Sequence, residues 1–196
     1  MVLNKRLILA SRSPRRQHLL RQLGLEFEVR ESGVDEQYDS TLSPADYVRT
    51  LSAQKALALG KLVDDAIIIG ADTIVVLNGK ILGKPKDHDD AARMLHALSG
   101  QVHEVYTGFT LLDRPSDQRV SEVEITKVQF RTLSSKEIEQ YITSGSPMDK
   151  AGAYGIQDDY GVVFVEKIDG CFYNVVGFPL AKFYVTIQEF QKRLKL

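Results

Sequence analysis

The sequence predicts an α/β protein with a mixed central sheet and flanking helices. Three observations lead there. Short, wholly apolar runs such as Leu7–Ala10 and Ala66–Leu77 suit buried strands. Well-marked helix starts, Ser13-Pro14, Ser43-Pro44 and Ser134-x-x-Glu137, alternate with them. Tight-turn signals at Asn78-Gly79 and Asp169-Gly170 return the chain as hairpins, which mixes antiparallel pairs into the sheet. With 196 residues, of which 43% are hydrophobic and 26% charged, the chain can build one good core or two small lobes.

Taken in order, Leu7–Ala10 is a short buried strand. A helix then runs from about Pro14 to Leu23, with Ser13 as N-cap, Pro14 at the first helical position and Gly24 as the stop. Phe27–Val29 reads as a second strand, and the polar, acidic stretch Glu31–Ser40 as a loop. Ser43-Pro44-Ala45-Asp46 opens a helix that ends near Gly60. Ala66–Leu77, the most apolar segment, suits a buried strand, with Gly70 a candidate break. Lys80–Leu82 returns antiparallel across Asn78-Gly79, and Pro85 keeps Lys84 out of a helix. Asp89–Ser99 is a helix with Ala92, Leu95 and Leu98 on one side, stopped by Gly100. Val102–Asp113 and Arg119–Phe130 are two long strands. In the second, the apolar phase changes between Val123, Ile125 and Val128, Phe130, which a bulge near Thr126-Lys127 accounts for. A capping box at Ser134 and Glu137 opens a helix to about Ser144. Gly161–Ile168 and Phe172–Val176 pair as a hairpin, and a last helix follows Pro179.

Composition removes several function classes. A net charge of −1 argues against a general nucleic-acid binder, which carries a basic surplus. No apolar run approaches the ~20 residues that span a bilayer, and no signal-peptide pattern opens the chain. The single cysteine, Cys171, cannot form an internal disulfide. Together these favour the reducing cytoplasm, with neither nucleic acid nor membrane as partner. There is no G-x-x-x-x-G-K-[ST] loop and no G-x-G-x-x-G after a strand. His18, His88, His96 and His103 lack metal-ligand spacing, and no histidine neighbours Cys171, so zinc and thiol chemistry are poorly supported.

Positive charge collects where a helix disfavours it. Arg15 and Arg16 fall in the first turn of the helix after Pro14, Arg12 sits just before it, and no acid lies between Met1 and Gly24. A helix N-terminus already carries roughly half a positive charge, and neighbouring cations cost about 0.3–1 kcal/mol each. A strand, a turn bearing Ser11 and Ser13, free N–H groups and stacked arginines make an anion site; alternatively the arginines splay into solvent or pair with distant carboxylates. Asp72 lies inside the apolar segment. It is either a functional carboxylate needing a cation, a metal or several hydrogen bonds, or a turn-capping residue after Gly70. Lys55 shares a helical stripe with Val48 and Leu51, and either snorkels outward or points inward. Lys84 follows the hairpin that begins near Asp72. Asp149–Gln157 is a loop whose glycines allow close approach to a ligand, or a plain connection to the next strand. Asp35 and Glu36 are paired loop acids that either complete a magnesium site with Asp72 or are ordinary surface charge.

Five motifs in this order are specific. Ser11-Arg12-Ser13-Pro14-Arg15-Arg16, Gln54-Lys55-Ala56, Gly70-Ala71-Asp72-Thr73-Ile74-Val75, Gly83-Lys84-Pro85 and Asp149-Lys150-Ala151-Gly152-Ala153-Tyr154-Gly155-Ile156-Gln157 resemble the Maf family of nucleoside triphosphate pyrophosphatases. The resemblance reaches to about Pro179. The last motif is similar to the branch acting on dTTP and UTP rather than on 7-methyl-GTP. What the resemblance implies is a single domain, residues 1–196, of two lobes around a cleft, in a fold related to inosine triphosphate pyrophosphatases. It implies hydrolysis of the α–β phosphate bond of a pyrimidine nucleoside triphosphate with a divalent metal, Mg2+ or Mn2+, and a homodimer. By motif, Asp72 is the proton acceptor, Arg15, Thr73 and Gln157 govern base choice, and Ser11, Arg16, Lys55, Lys84 and Lys150 line the phosphates beside Ser13. Asp72, Asp35 and Glu36 are the metal candidates. Two departures stand out: Asp35-Glu36-Gln37 where the family carries Glu-Glu, and Asp158-Asp159-Tyr160 in place of a more Gly-rich or basic tripeptide. The competing expectation is a non-enzymatic nucleotide-binding regulator of cell division.

Overall fold

In the computed structural model, which describes residues 5–35, 41–157 and 159–195, strands and helices alternate along most of the chain. They are β1 (Leu7–Ala10), α1 (Pro14–Gln22), β2 (Glu28–Val29), α2 (Pro44–Gly60), β3 (Ala66–Leu77), β4 (Lys80–Leu82), α3 (His88–Leu98), β5 (Val102–Arg114), β6 (Arg119–Phe130), α4 (Ser135–Thr143), β7 (Val165–Asp169), α5 (Phe172–Val176) and α6 (Leu180–Leu194). The strands form one sheet in the order β2-β1-β3-β5-β6-β7, with β4 also paired to β3. The sheet is mixed: β1 runs parallel to β2 and β3, while β4 is antiparallel to β3 and β7 to β6.

The chain clusters into two compact units. The first comprises Met1–Asp72, Thr107–Glu124 and Gly177–Leu196, and the second Thr73–Tyr106 and Ile125–Val176. In the first, Ile8, Ala10, Ala56, Leu59, Val63, Ile68 and Leu112 pack together, and the rings of Phe109, Phe178 and Phe183 meet at centroid distances of 5.0–5.8 Å. In the second, Val75, Leu95, Leu98, Phe130, Tyr141 and Phe164 anchor the core. Burial of this apolar surface supplies the main driving force for folding.

Local chemistry explains the boundaries. Ser13, Ser43 and Ser134 each cap a helix by accepting a backbone N–H from the third residue on. The Ser134–Glu137 capping box is complete, and Glu137 also receives Arg131 at 2.6 Å. The Arg131 hydrogen bond, with those from Ser134, holds the Glu137 carboxyl down at about 2. Gly24 and Gly100 follow α1 and α3 with φ of 68° and 69°, a left-handed stop that glycine takes without strain.

Two glycines decide how α2 lies on the sheet. A Cβ on Gly70 would sit 2.1 Å from the Ser52 carbonyl oxygen, and one on Gly108 would sit 2.3 Å from that of Val48. The helix backbone therefore rests directly on β3 and β5, with no side chain between.

The structure departs from the sequence reading in three places. The strand Ala66–Leu77 is unbroken at Gly70, which serves close packing instead. Phe172–Val176 is a short helix rather than the second arm of a hairpin, and the strand before it covers only Val165–Asp169, after a 3-10 turn at Asp159–Val163. The cause is Asn174, fully buried, whose Nδ2 donates to the Val105 carbonyl and to Thr126 Oγ1, both at 3.0 Å. Thr126 Oγ1 also accepts from the Cys171 N–H, so the chain after Gly170 coils onto β6. Finally, the β6–β7 ladder shifts register between Gln129 and Phe130, not at Thr126-Lys127. Thr126, Val128 and Phe130 are buried while Val123 and Ile125 are partly or largely exposed, so ordinary strand alternation covers the phase change.

Candidate functional site

Parallel pairing of β1 with β3 sets Ala10 opposite Gly70. The turn that follows β1 thus begins beside Ala71 and Asp72. In that turn the Ser13 N–H donates to Ser11 Oγ at 3.3 Å, and Ser13 Oγ accepts from the Arg16 N–H at 3.4 Å. Arg16 folds inward, 7% exposed. Its Nη1 donates to Ser11 Oγ at 2.5 Å and its Nε to the Gly177 carbonyl at 3.3 Å. Arg15 is half-buried next to it, and the first turn of α1 holds no acid. Arg12 behaves differently. It is exposed and pairs with Glu31 at 2.7 Å, a carboxylate supplied by the loop after β2. Arg12 thus follows the distant-carboxylate alternative.

Asp72 is buried, and Lys55 Nζ donates to its Oδ1 at 2.7 Å. The lysine does not snorkel. It lies on the face of α2 that carries Val48, Leu51 and Leu59, all buried, and the close seat over Gly70 brings its ammonium to the carboxylate two residues further along β3. A buried ion pair of this kind costs desolvation on both sides, so it is weak evidence for a stabilising role. Asp35 is exposed. Glu36 lies outside the described residues, and among the described residues no group of three His, Cys, Asp or Glu side chains could hold a metal ion.

The second unit gathers the remaining motif residues. The Gly152 N–H donates to the Gly83 carbonyl at 3.0 Å, which sets Asp149–Gln157 beside Gly83-Lys84-Pro85. A Cβ on Gly152, which has φ of 69°, would press on Val75 at 3.0 Å, so the same loop is seated against the end of the Gly70–Val75 motif. Lys84 is exposed and Pro85 buried. Lys150 is buried; its Nζ donates to the Ser146 carbonyl at 2.5 Å, to Ser146 Oγ at 3.2 Å and to Asp149 at 2.8 Å. Thr73 is half-buried and Gln157 exposed.

Two polar residues of this unit escaped sequence reasoning. His103 is buried and its Nε2 lies 2.7 Å from the Tyr154 hydroxyl; burial pushes the imidazole down to about 4, so it is neutral near pH 7. Asn174 anchors α5, as above. Neither stands in a spacing that signals chemistry, because their partners lie 51 and 69 residues away in sequence.

A family model described as Maf-like protein matches residues 6–190. A dTTP/UTP pyrophosphatase of Pelotomaculum thermopropionicum is 46% identical over 95% of this chain and 97% of its own. One of Carboxydothermus hydrogenoformans is 48% identical, covering 94% and 98%. Another, from a Thermoanaerobacter species, is 50% identical, covering 96% and 99%. Among solved structures, the Staphylococcus aureus Ham1 protein aligns over 64% of this chain and 72% of its own at 15% identity and a TM-score of 0.44, too slight a likeness to add to the sheet order itself.

Proposed function

This chain belongs to the Maf-like protein family, and from that premise we propose that it hydrolyses dTTP and UTP at the α–β phosphate bond, releasing the nucleoside monophosphate and pyrophosphate. The observation that carries the proposal is the buried Lys55–Asp72 pair set beside the Ser11–Arg16 turn. A carboxylate, an ammonium and a cationic helix start meet there in a protein of near-zero net charge. The names of the relatives support the substrate pair.

The substrate brings about four negative charges, which fixed cations and backbone N–H groups stabilise best when held in place beforehand. Ser11, Ser13 and Arg16 are the anion turn. Lys55, Lys84 and Lys150 add positive charge along the phosphates, with Lys150 exchanging its contacts to Ser146 and Asp149 for phosphate oxygens. Asp72 orients and deprotonates the attacking water, its ionised form held by Lys55. Gln157 accepts from the N3–H of uracil or thymine and donates to a ring carbonyl, and by motif Arg15 and Thr73 share in base choice. Cytosine reverses the pattern at N3 and leaves a polar contact unpaired.

A divalent cation would find a buried carboxylate at Asp72, although among the described residues no group of three His, Cys, Asp or Glu side chains stands ready to hold it. One buried carboxylate with loop acids is what Mg2+ uses when phosphate oxygens complete its shell. Asp72 would hold it, with Asp35 and Glu36 as the loop acids. When bound it would neutralise phosphate charge.

The test is direct. The protein is incubated with dTTP, UTP, CTP and GTP in the presence of Mg2+ or Mn2+, and products are identified. The expected result is UMP and pyrophosphate from UTP, with dTTP turned over comparably and CTP and GTP spared. UDP and orthophosphate would place the cleaved bond elsewhere. A rise in melting temperature without turnover would identify a protein that only binds nucleotide.

A further inference from the structure

His103 takes no part in the chemistry set out above, yet it is one of the most buried polar residues of the second unit, 1% exposed at the second position of β5. Its Nε2 meets the Tyr154 hydroxyl at 2.7 Å, while its Nδ1 is buried with no hydrogen-bond partner among the described residues. A phenyl ring would fill this place without leaving a buried nitrogen unsatisfied. Packing alone therefore does not account for an imidazole here.

Tyr154 sits within the Asp149–Gln157 loop, four residues after Lys150 and three before Gln157. The two residues before it, Gly152 and Ala153, are both left-handed, with φ of 69° and 60°. Alanine adopts that conformation only where the surroundings impose it. The constraints are visible on either side. The Gly152 N–H donates to Gly83, the Gly155 N–H donates to the Tyr141 hydroxyl at 3.1 Å, and the Tyr154 ring stands edge-on to Phe130 and His103 at 4.7 and 5.3 Å. The bond to His103 is what gives the Tyr154 hydroxyl a fixed direction inside this cluster. Burial keeps the imidazole neutral, so the bond does not change across neutral pH.

We infer that His103 is a positioning residue: through Tyr154 it fixes the course of the Lys150–Gln157 loop, and so the presentation of Lys150 and Gln157 to the nucleotide. The nucleotide half of this statement rests on the pyrophosphatase reading; the loop half does not.

The experiment compares wild type, His103→Phe, His103→Gln, Tyr154→Phe and the double Phe variant. It measures amide hydrogen exchange across residues 150–157 without ligand, and kcat and KM for UTP. His103→Phe is expected to raise exchange in this loop by about tenfold or more while the rest of the second unit keeps its protection. KM for UTP should rise by about ten- to a hundredfold, with kcat changed far less, as displaced binding groups require. Tyr154→Phe should match it, the double variant should be no worse than either, and His103→Gln, which keeps a group able to bond the hydroxyl, should recover most of the loss. Unchanged loop exchange in His103→Phe, or additive losses in the double variant, would overturn the inference. Raised exchange with an unaltered KM would overturn its nucleotide half. If His103→Phe does not fold, Tyr154→Phe, which removes one hydroxyl, decides the matter alone. If wild type turns over no nucleotide, the pyrophosphatase reading has failed and the exchange data still judge the loop.

Discussion

Asp72 and Lys55 are 2.7 Å apart and both buried, so the two partners answer differently to substitution. Asp72→Asn removes the proposed base but leaves an amide oxygen for the ammonium. Turnover of UTP should fall by about 10²–10⁴-fold, while nucleotide still raises the melting temperature; kcat within tenfold of wild type would dismiss Asp72 as the base. Lys55→Met instead takes the ammonium away from a buried carboxylate. Urea unfolding should show a loss of about 3–5 kcal/mol, and a loss below about 1 kcal/mol would mean that Asp72 is sustained by its other contacts. The carboxylate was legible in the sequence, because an Asp among Ile67–Ile69 and Ile74–Leu77 needs a partner. Its partner was not, because a lysine on an apolar helical stripe is compatible with an inward and an outward head group alike. The seat of α2 on Gly70 resolves that choice, and it is a property of two elements together.

Elements were legible where their own caps and periodicity define them. Leu7–Ala10, Ala66–Leu77 and Lys80–Leu82 have the limits that the sequence predicts, and the serine caps open α1, α2 and α4 as expected. Phe172–Val176 was not legible, because its helix depends on Asn174 reaching Val105 and Thr126. The same reasoning yields an element-scale expectation for Gly70→Ala. Its Cβ would lie 2.1 Å from a backbone oxygen of α2, so the helix must shift. Stability should fall by about 3 kcal/mol or more, at the upper end of overpacking, and activity should fall with it as Lys55 is carried off Asp72. An alanine variant as stable as wild type would contradict the close seat. At α4, Ser134→Ala should cost about 1 kcal/mol. The Glu137 carboxyl is held at about 2 by Arg131 and Ser134. Its contribution is therefore complete above its ordinary value near 4.5 and fades as pH falls toward 2. Hydrogen exchange of the first turn of α4 should report that window.

At the scale of the whole molecule, the buried imidazole makes stability depend on pH. His103 titrates at about 4 when folded, against an ordinary 6.5, because burial disfavours its charged form. The unfolded chain thus binds the extra proton first. Full stability holds above about 6.5, and roughly 3 kcal/mol is lost as pH falls through 4. Denaturation midpoints taken between pH 7 and 4 should show this slope, and His103→Phe should flatten it; an equal slope in the variant would assign the loss to other groups. β3, β5 and β6 each contribute residues to both units without a break in the strand. That interleaving has a consequence for synthesis. The first unit draws on residues 1–72, 107–124 and 177–196. A ribosome reads out both segments of the second unit before the last of these emerges. Phe178 and Phe183, which close over Phe109, therefore emerge after the whole of the second unit. The half that carries Lys55 and Asp72 can therefore close its core only after Gly177–Leu196 has followed both segments of the second unit out of the ribosome.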